Sequence, residues 1–192
     1  MIMHVEPIET AYKYNAVFFL ILINLTVFFL DHFLHFDLTF LYLNHGNPQW
    51  YQLVTALFCH SGWEHLSGNL FFLYIFGKLI EEEEGELALY SSYLICGLGA
   101  SIASVIFLET DLHSLGASGA VFGLFTVAVL IKLSWEWRNL LEILILGQFV
   151  LLKMLNEAQL LEQADNVNRI AHLGGAIVGV VMMLLLFWFG RR

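Results

Sequence analysis

The chain has 192 residues, of which 59% are hydrophobic and 13% are charged, and its mean hydropathy is +0.74. Soluble domains have about 45–50% apolar and about 25% charged residues, and a chain of this length cannot bury so much apolar surface in one core. The composition therefore excludes an ordinary soluble domain and favours a polytopic membrane protein. Eight basic residues against 17 acidic ones give a formal net charge of −9. This charge leaves no basic patch for nucleic acid.

Two local features bear on redox state and processing. Cys59 and Cys96 are too few for a disulfide framework and lie in apolar surroundings, so we expect both to be packing residues. The N-terminal segment is acidic rather than basic, and no small-residue cleavage motif follows the first apolar stretch. We therefore expect neither a cleaved signal peptide nor a transit peptide.

Apolar stretches of about 20 residues are long enough to cross a membrane, and the chain offers six candidates. The second begins with polar residues, and the fifth is interrupted by Glu142, Gln148 and Lys153. A longer segment at residues 37–64, rich in aromatics and histidines, is expected to be partly embedded in the membrane interface. We therefore predict one all-α membrane domain over residues 1–192, with six transmembrane helices at about 15–36, 65–80, 87–108, 115–133, 140–155 and 170–190.

The basic residues predict the orientation of this bundle. With six spans both termini lie on one side, and that side collects six basic residues against two on the other. The positive-inside rule makes this side cytoplasmic, so both termini are predicted to be cytoplasmic. Residues 81–84, all glutamates, fall on the same side and are expected to form a solvated loop. The six residues are Lys13, Lys78, Lys132, Arg138, Arg191 and Arg192, and the two are Lys153 and Arg169.

Three polar clusters interrupt the apolar spans, and polar side chains inside a membrane are costly. Residues 65–69 open the second span, residues 116–119 the fourth and residues 171–175 the sixth. In the predicted topology these three spans all run from the outside inward, so the clusters lie at one depth, about a turn below the outer surface. A lone polar residue usually serves packing or bonds its own backbone, but three clusters at one depth indicate shared chemistry.

Two residues of these clusters form a candidate catalytic pair. Ser118 needs a base to become a nucleophile, and His172 can accept its proton near neutral pH. No carboxylate lies at the same depth, so a Ser–His dyad is predicted rather than a triad. His172 would be oriented by packing or by a ring contact, for example from Tyr74 or Tyr93, and the sequence does not decide between these.

Hydrogen-bond donors for a negatively charged oxygen are available in the same clusters. His65 and Asn69 are four residues apart and share a helix face. The Ser118 backbone amide, near the start of a helix, supplies a third donor. We therefore predict an oxyanion site formed by His65, Asn69 and Ser118.

Small residues allow the two helices that carry the dyad to approach. Gly119 and Gly123 have the GxxxG spacing, and so do Gly175 and Gly179. Such steps let membrane helices pack closely. His172 shares a helix face with Gly175 and Gly179, so the base lies on the face predicted to pack.

These motifs resemble the rhomboid family of intramembrane serine proteases. The family pattern is H-x-x-x-N in the second core span, G-x-S-G in the fourth and A-H-x-x-G in the sixth, and this chain carries it at residues 65–69, 116–119 and 171–175. The resemblance extends from about residue 50 to the C-terminus, and the surrounding sequence looks most like the cyanobacterial and plastid branch. His60 also occupies a position where family members often carry histidine.

The resemblance implies Ser118 as nucleophile, His172 as general base and then general acid, and the same oxyanion donors. It implies cleavage of transmembrane segments of other proteins near the membrane surface, usually after a small residue, without metal or organic cofactor. The expected partners are transmembrane protein substrates and the lipid bilayer, in a bacterial inner membrane or a plastid membrane. We expect the minimal family core, without a seventh span or a soluble domain. One departure concerns the first loop, where many bacterial members carry Trp-Arg and this chain has Trp50, Tyr51 and Gln52.

Other classes fit the sequence less well. A membrane metalloprotease would need H-E-x-x-H, which is absent, and the eight histidines form no other tight ligand set. Intramembrane aspartyl proteases need two aspartates within spans, whereas only Asp31 lies near one. The alternatives left open are an inactive rhomboid-like protein that binds transmembrane helices without cleavage and, less favoured, a small channel or transporter. The weak hydrophobicity of the fifth span also suggests a loosely packed helix that admits substrate.

Overall fold

The computed structural model describes residues 15–108, 111–133, 137–159 and 168–190. These residues are mostly helical, as predicted. Lys13, Arg191 and Arg192, on which part of the orientation argument depends, lie outside the described residues. The α-helices are α1 (Asn15–His32), α2 (Gln52–Thr55), α3 (Trp63–Glu84), α4 (Glu86–Phe107), α5 (Ser118–Ile131), α6 (Trp137–Gln159) and α7 (Arg169–Gly190).

Each predicted span coincides with one of the long helices, and the ends differ by a few residues. Three of the described helices, α1, α4 and α7, are long and apolar enough to cross a membrane, and α5 is apolar but has only 14 residues. The chain is thus a multi-pass membrane protein. The count of six spans and the side on which the termini lie remain predictions.

A short β pair departs from the all-α prediction. Strands β1 (Leu43–Asn44) and β2 (His113–Ser114) pair antiparallel, with Leu43 opposite Ser114. The His45 amide continues the pairing by donating to the Leu112 carbonyl at 3.1 Å. The pair joins the loop after α1 to the segment that leads into α5, so the first loop is held over the end of the bundle where α5 begins.

Helix α5 is the centre of the bundle. Ten of its 14 residues are buried, and it packs against α3, α4 and α7. The aromatic contact between Phe76 of α3 and Phe125 of α5, with ring centroids 4.4 Å apart, lies in this core. Cys96 is also buried in it, and Cys59 is buried in the first loop, so both free cysteines lie in packed surroundings.

Helix α6 lies at the edge of the bundle. Phe149 places its ring 5.7 Å from Phe72 of α3 and 6.1 Å from Phe125 of α5. Most of the α6 side chains that the structure describes are exposed. This agrees with the weak fifth span of the sequence. That α6 moves is still a prediction.

The acidic run at residues 81–84 is not a solvated loop, which corrects the prediction. It forms the last turn of α3, and Glu81 is fully buried. The Glu81 carboxylate accepts the amides of Ala16 and Val17, each at 2.9 Å. Free amides and the positive end of the helix dipole occur at the start of α1, so a carboxylate is stabilised there. Glu83 at the rim pairs with Lys132.

Gln52 organises the first loop, at the point where the chain departs from the Trp-Arg pattern. Its buried amide nitrogen donates to the Phe40 carbonyl at 3.0 Å. Its oxygen accepts the amides of Asn44 at 3.3 Å and Gln49 at 3.1 Å. A neutral amide can both donate and accept, so these hydrogen bonds hold the loop without a charge.

Candidate active site

The three polar motifs lie at the starts of three helices that meet at one end of the bundle. His65 and Asn69 lie in the first two turns of α3, Ser118 is the first residue of α5, and His172 lies in the first turn of α7. Contacts between α3 and α5 and between α5 and α7 bring these motifs together. The geometry at each contact shows which side chains face the turn that precedes Ser118.

Gly116 makes the turn that leads into Ser118. Its φ of +121° is a conformation that L side chains rarely adopt, and its amide donates to the Ala56 carbonyl at 2.8 Å. A Cβ at this position would lie 2.7 Å from Nε2 of His65 and 3.7 Å from Nδ2 of Asn69. Glycine is therefore required both by the backbone and by the two side chains that lie against the turn.

Asn69 carries an unused hydrogen-bond donor beside this turn. Its Nδ2 is buried and has no hydrogen-bond partner among the described residues. A buried donor without a partner costs about 1–3 kcal/mol, so such a group in a native protein needs an explanation. An oxygen that arrives with a substrate would supply the missing acceptor.

Two more donors lie near the same turn. Nδ1 of His65 lies 3.2 Å from the Ser61 hydroxyl, and its Nε2 is directed to the Gly116 turn. If the Ser61 hydroxyl donates, Nε2 carries the proton and faces the turn as a donor. The Ser118 amide is at the positive end of α5, where first-turn amides have no partner within the helix.

His60 supports the residue before Ser118. Its Nε2 accepts the Ala117 amide at 3.4 Å, and its ring meets that of His65 edge-on at 5.0 Å. Burial, with a smaller contribution from His65, lowers the pKa of His60 from 6.5 to about 3. The ring is therefore neutral, as an acceptor must be. The sequence had singled out His60 only through the family resemblance.

Glycines bring α5 and α7 into backbone contact. A Cβ on Gly175 would overlap the Gly119 carbonyl, and a Cβ on Gly119 would lie 3.2 Å from the Ala171 carbonyl. One turn further in, a Cβ on Gly179 would lie 2.7 Å from the Gly123 carbonyl. The four glycines selected from the sequence thus lie in this interface, which places residue 118 opposite residue 172.

The ring that orients His172 is Phe122. The two rings are stacked, with centroids 4.3 Å apart and planes 6° from parallel. The tyrosines named from the sequence have other described contacts: the Tyr93 hydroxyl donates to the Leu57 carbonyl, and Tyr74 lies against Phe18. Phe122 is one helical turn after Ser118, so the i, i+4 spacing could have identified it.

A small cavity opens beside Ser118 and reaches Ala100 of α4 and Ala171 of α7. Among the described residues, no three His, Cys, Asp or Glu side chains form a group that could hold a metal ion.

Comparisons with known proteins identify the family. The model of the Rhomboid domain matches residues 47–189. The chain is 52% identical over 186 residues to Rhomboid-like protein 11, chloroplastic, of Arabidopsis thaliana, which covers 91% of this chain and 66% of that protein. It is 37% identical over 143 residues to RHOMBOID-like protein 6, mitochondrial, of the same plant, covering 73% of this chain and 45% of the relative. A Bacillus subtilis protein, YdcA, named as a candidate rhomboid protease, is 28% identical to this chain over 145 residues, and the match covers 69% of YdcA.

Proposed function

The chain belongs to the rhomboid family, and on that premise we propose that it is a serine endopeptidase that cleaves transmembrane segments of other membrane proteins. Ser118 is the nucleophile and His172 the general base. The observation that carries the proposal is the buried, unpartnered Asn69 amide beside the turn into Ser118. A donor at that position can hold the oxyanion that forms when Ser118 attacks a carbonyl carbon.

The reaction follows from the positions of these groups. His172 takes the proton of the Ser118 hydroxyl as its oxygen attacks the scissile carbonyl carbon. The carbonyl oxygen becomes an oxyanion, which accepts hydrogen bonds from Asn69, His65 and the Ser118 amide. His172 then gives its proton to the leaving amine. Water attacks the acyl-enzyme, His172 takes the water's proton, and the carboxylate product leaves as Ser118 recovers its hydrogen.

Phe122 takes the place of the carboxylate that orients the histidine in a triad. Its stacked ring fixes the plane of the imidazole, so the base is held at a set angle to α5 by packing. The cavity beside Ser118 is small and lined partly by Ala100, Gly116 and Ala171. This supports cleavage after a small residue.

The membrane placement is also a proposal. Six spans with cytoplasmic-side termini put the dyad just below the outer surface, where a transmembrane substrate can unwind. The relative named as chloroplastic supports a plastid membrane as the location. Helix α6, at the edge of the bundle, is the helix that would move aside for substrate.

The alternative is a rhomboid-like protein that binds transmembrane helices without cutting them. In this reading the polar end of the bundle recognises an unwound helix, and the donors of Asn69 and His65 bind its backbone carbonyls without reaction.

Cleavage in proteoliposomes separates the two readings. The reporter is a single-span protein whose transmembrane segment begins with small residues. We expect Ser118→Ala to abolish cleavage and Asn69→Ala to lower kcat by about 10²-fold, the usual loss for one oxyanion donor. Asn24→Ala is the matched control, because Asn24 is a buried asparagine of α1 that lies outside the proposed site and donates its Nδ2 to the Leu20 carbonyl at 2.8 Å. Equal, small effects of Ser118→Ala and Asn69→Ala would reject the protease.

A further inference from the structure

A second polar cluster is not used by the chemistry described above, and three of its members, Ser104, Ser114 and Asn168, line the small cavity beside Ser118. Asn168 precedes α7, Ser104 belongs to α4, Ser114 ends β2 and His45 follows β1. Nδ2 of Asn168 donates to the Ser104 hydroxyl at 2.9 Å and to the Ser114 hydroxyl at 2.8 Å. Nε2 of the buried His45 lies 2.8 Å from the same Ser114 hydroxyl.

Asn168 uses every hydrogen-bonding atom of its side-chain amide. The two N–H groups reach the two serines, and Oδ1 accepts the Ala171 amide at 2.8 Å. The last of these is an N-cap of α7. The backbone carbonyl of Asn168 accepts the His172 amide at 3.3 Å, and this is the first hydrogen bond of α7 that involves the proposed base. One side chain therefore fixes where α7 begins and ties that point to α4 and β2.

The spacing along the chain gives this tie its significance. Ser114 precedes Ser118 by four residues, and Asn168 precedes His172 by four. The hydrogen bond between Ser114 and Asn168 thus joins the segment entering the nucleophile's helix to the segment entering the base's helix. The glycine contacts between α5 and α7 set how close the helices are, whereas this bond sets their register along the helix axis.

We propose that Asn168 is a positioning residue for the dyad, acting through Ser114 to hold Ser118 and His172 at the same height. The inference rests on the proposed function, because its effect on rate requires that Ser118 be a nucleophile. A polar pair partly buried between two chain segments costs stability unless it is satisfied, and here both N–H groups and the oxygen of the Asn168 side-chain amide are satisfied. A small axial slip between α5 and α7 would separate the hydroxyl from the imidazole.

Three single variants and one double variant isolate this role. Asn168→Asp keeps an oxygen to cap α7 but loses the N–H groups that reach the serines, and Ser114→Ala removes the acceptor while Ser114→Thr keeps it. The probe is a fluorophosphonate, applied to the full chain in detergent. We expect Asn168→Asp and Ser114→Ala to lower the labelling rate constant at saturation about 10–100-fold, as small misplacements do, with unchanged half-saturation. Ser114→Thr should label like the wild type, and the double variant should lose no more than either single one.

A second readout does not depend on activity. The His172 ring protons experience the ring current of Phe122, so the NMR shift of histidine-labelled protein reports the placement of the base. We expect this signal to move in Asn168→Asp and to stay in Glu81→Gln, which weakens the bundle at the start of α1. If Asn168→Asp is labelled at the rate of the wild type, the inference is overturned and the proposed protease function is unaffected. If the wild type is not labelled but the His172 signal still moves in Asn168→Asp, the protease is rejected and the positioning role is kept. If the wild type is not labelled and the signal does not move, both are rejected.

Discussion

The imidazole of His172 lies flat on the phenyl ring of Phe122, with 4.3 Å between centroids. Phe122 is on α5, which begins at the proposed nucleophile Ser118, and the proposed base His172 is on α7, so this contact couples the two halves of the proposed dyad. A flat stack restricts rotation of the imidazole about its Cβ–Cγ bond. This restriction leaves its nitrogens in a fixed plane relative to Ser118.

Loss of this ring should impair the chemical step more than binding. We expect Phe122→Leu to lower kcat for the transmembrane reporter about 10-fold or more, since the base loses its orientation, with little change in KM. Phe122→Tyr keeps the stacking ring and should retain most of the activity. A wild-type kcat for Phe122→Leu would show that packing elsewhere orients His172.

The contact between α5 and α7 should not tolerate one added methyl group. A Cβ on Gly175 would overlap the Gly119 carbonyl, so Gly175→Ala should destabilise the protein by about 1–3 kcal/mol, as overpacking does, and lower activity. Gly68→Ala is the control, because nothing lies within 4 Å of a Cβ there and alanine favours the helix by about 1 kcal/mol. Equal melting temperatures for the two variants would contradict this close approach.

Much of the fold and site could be predicted because membrane helices leave long apolar runs in the sequence. Polar residues within those runs are costly, so His65, Asn69, Ser118 and His172 stood out. Their arrival at one end of the bundle followed from the parity of the spans. The glycine contacts between α5 and α7 could be predicted from the i, i+4 spacing, because a helix has a fixed rise and places residues of that spacing on one face.

Features that depend on contacts between distant segments could not be predicted. The sequence predicts Glu81 to be one of four solvated glutamates, and only its position against the start of α1 shows why it is buried. The β pair is two residues long in each strand, too short for a period-2 pattern. Asn168 resembles any polar loop residue until Ser104 and Ser114 are placed beside it.

Acid should weaken the support that His60 gives to Ala117. Its pKa is 6.5 in the unfolded reference and about 3 when buried, so between these values the unfolded chain binds a proton that the folded chain does not. Stability therefore falls as the pH is lowered from about 6.5 towards 3, by up to about 1.4 kcal/mol per pH unit.

The melting temperature measured against pH tests this effect. We expect the wild type to lose stability more steeply than His60→Gln between about pH 6.5 and pH 4.5, because the variant no longer has the titrating ring. Burial also lowers the pKa of His45, but that residue is present in both proteins, so the difference between the two curves reports His60. Parallel curves would mean that His60 is not buried as a neutral ring.

Substrate entry beside α6 can be tested by tying that helix down. Phe72 and Phe149 are 5.7 Å apart between ring centroids, so Phe72→Cys with Phe149→Cys can be joined across α3 and α6 by a bifunctional methanethiosulfonate reagent. We expect the cross-linked protein to lose cleavage of the transmembrane reporter and to keep fluorophosphonate labelling, and reduction to restore cleavage.

The matched control links α3 to α5, which form the core and should not separate. Phe72 and Phe125 are 5.3 Å apart between ring centroids, so Phe72→Cys with Phe125→Cys can be joined by the same reagent. Each cross-linked protein is compared with its own reduced form. Unchanged cleavage after linking α3 to α6 would reject α6 as the moving helix.

A fluorophosphonate that labels activated serines tests, without a known substrate, whether His172 activates Ser118. Wild type, Ser118→Ala and His172→Ala are purified in detergent and treated side by side, with melting curves to establish folding. We expect labelling of the wild type alone. Labelling of Ser118→Ala, or of His172→Ala at the wild-type rate, would contradict it, and a folded but unlabelled wild type would favour the protein that binds helices without cleaving them.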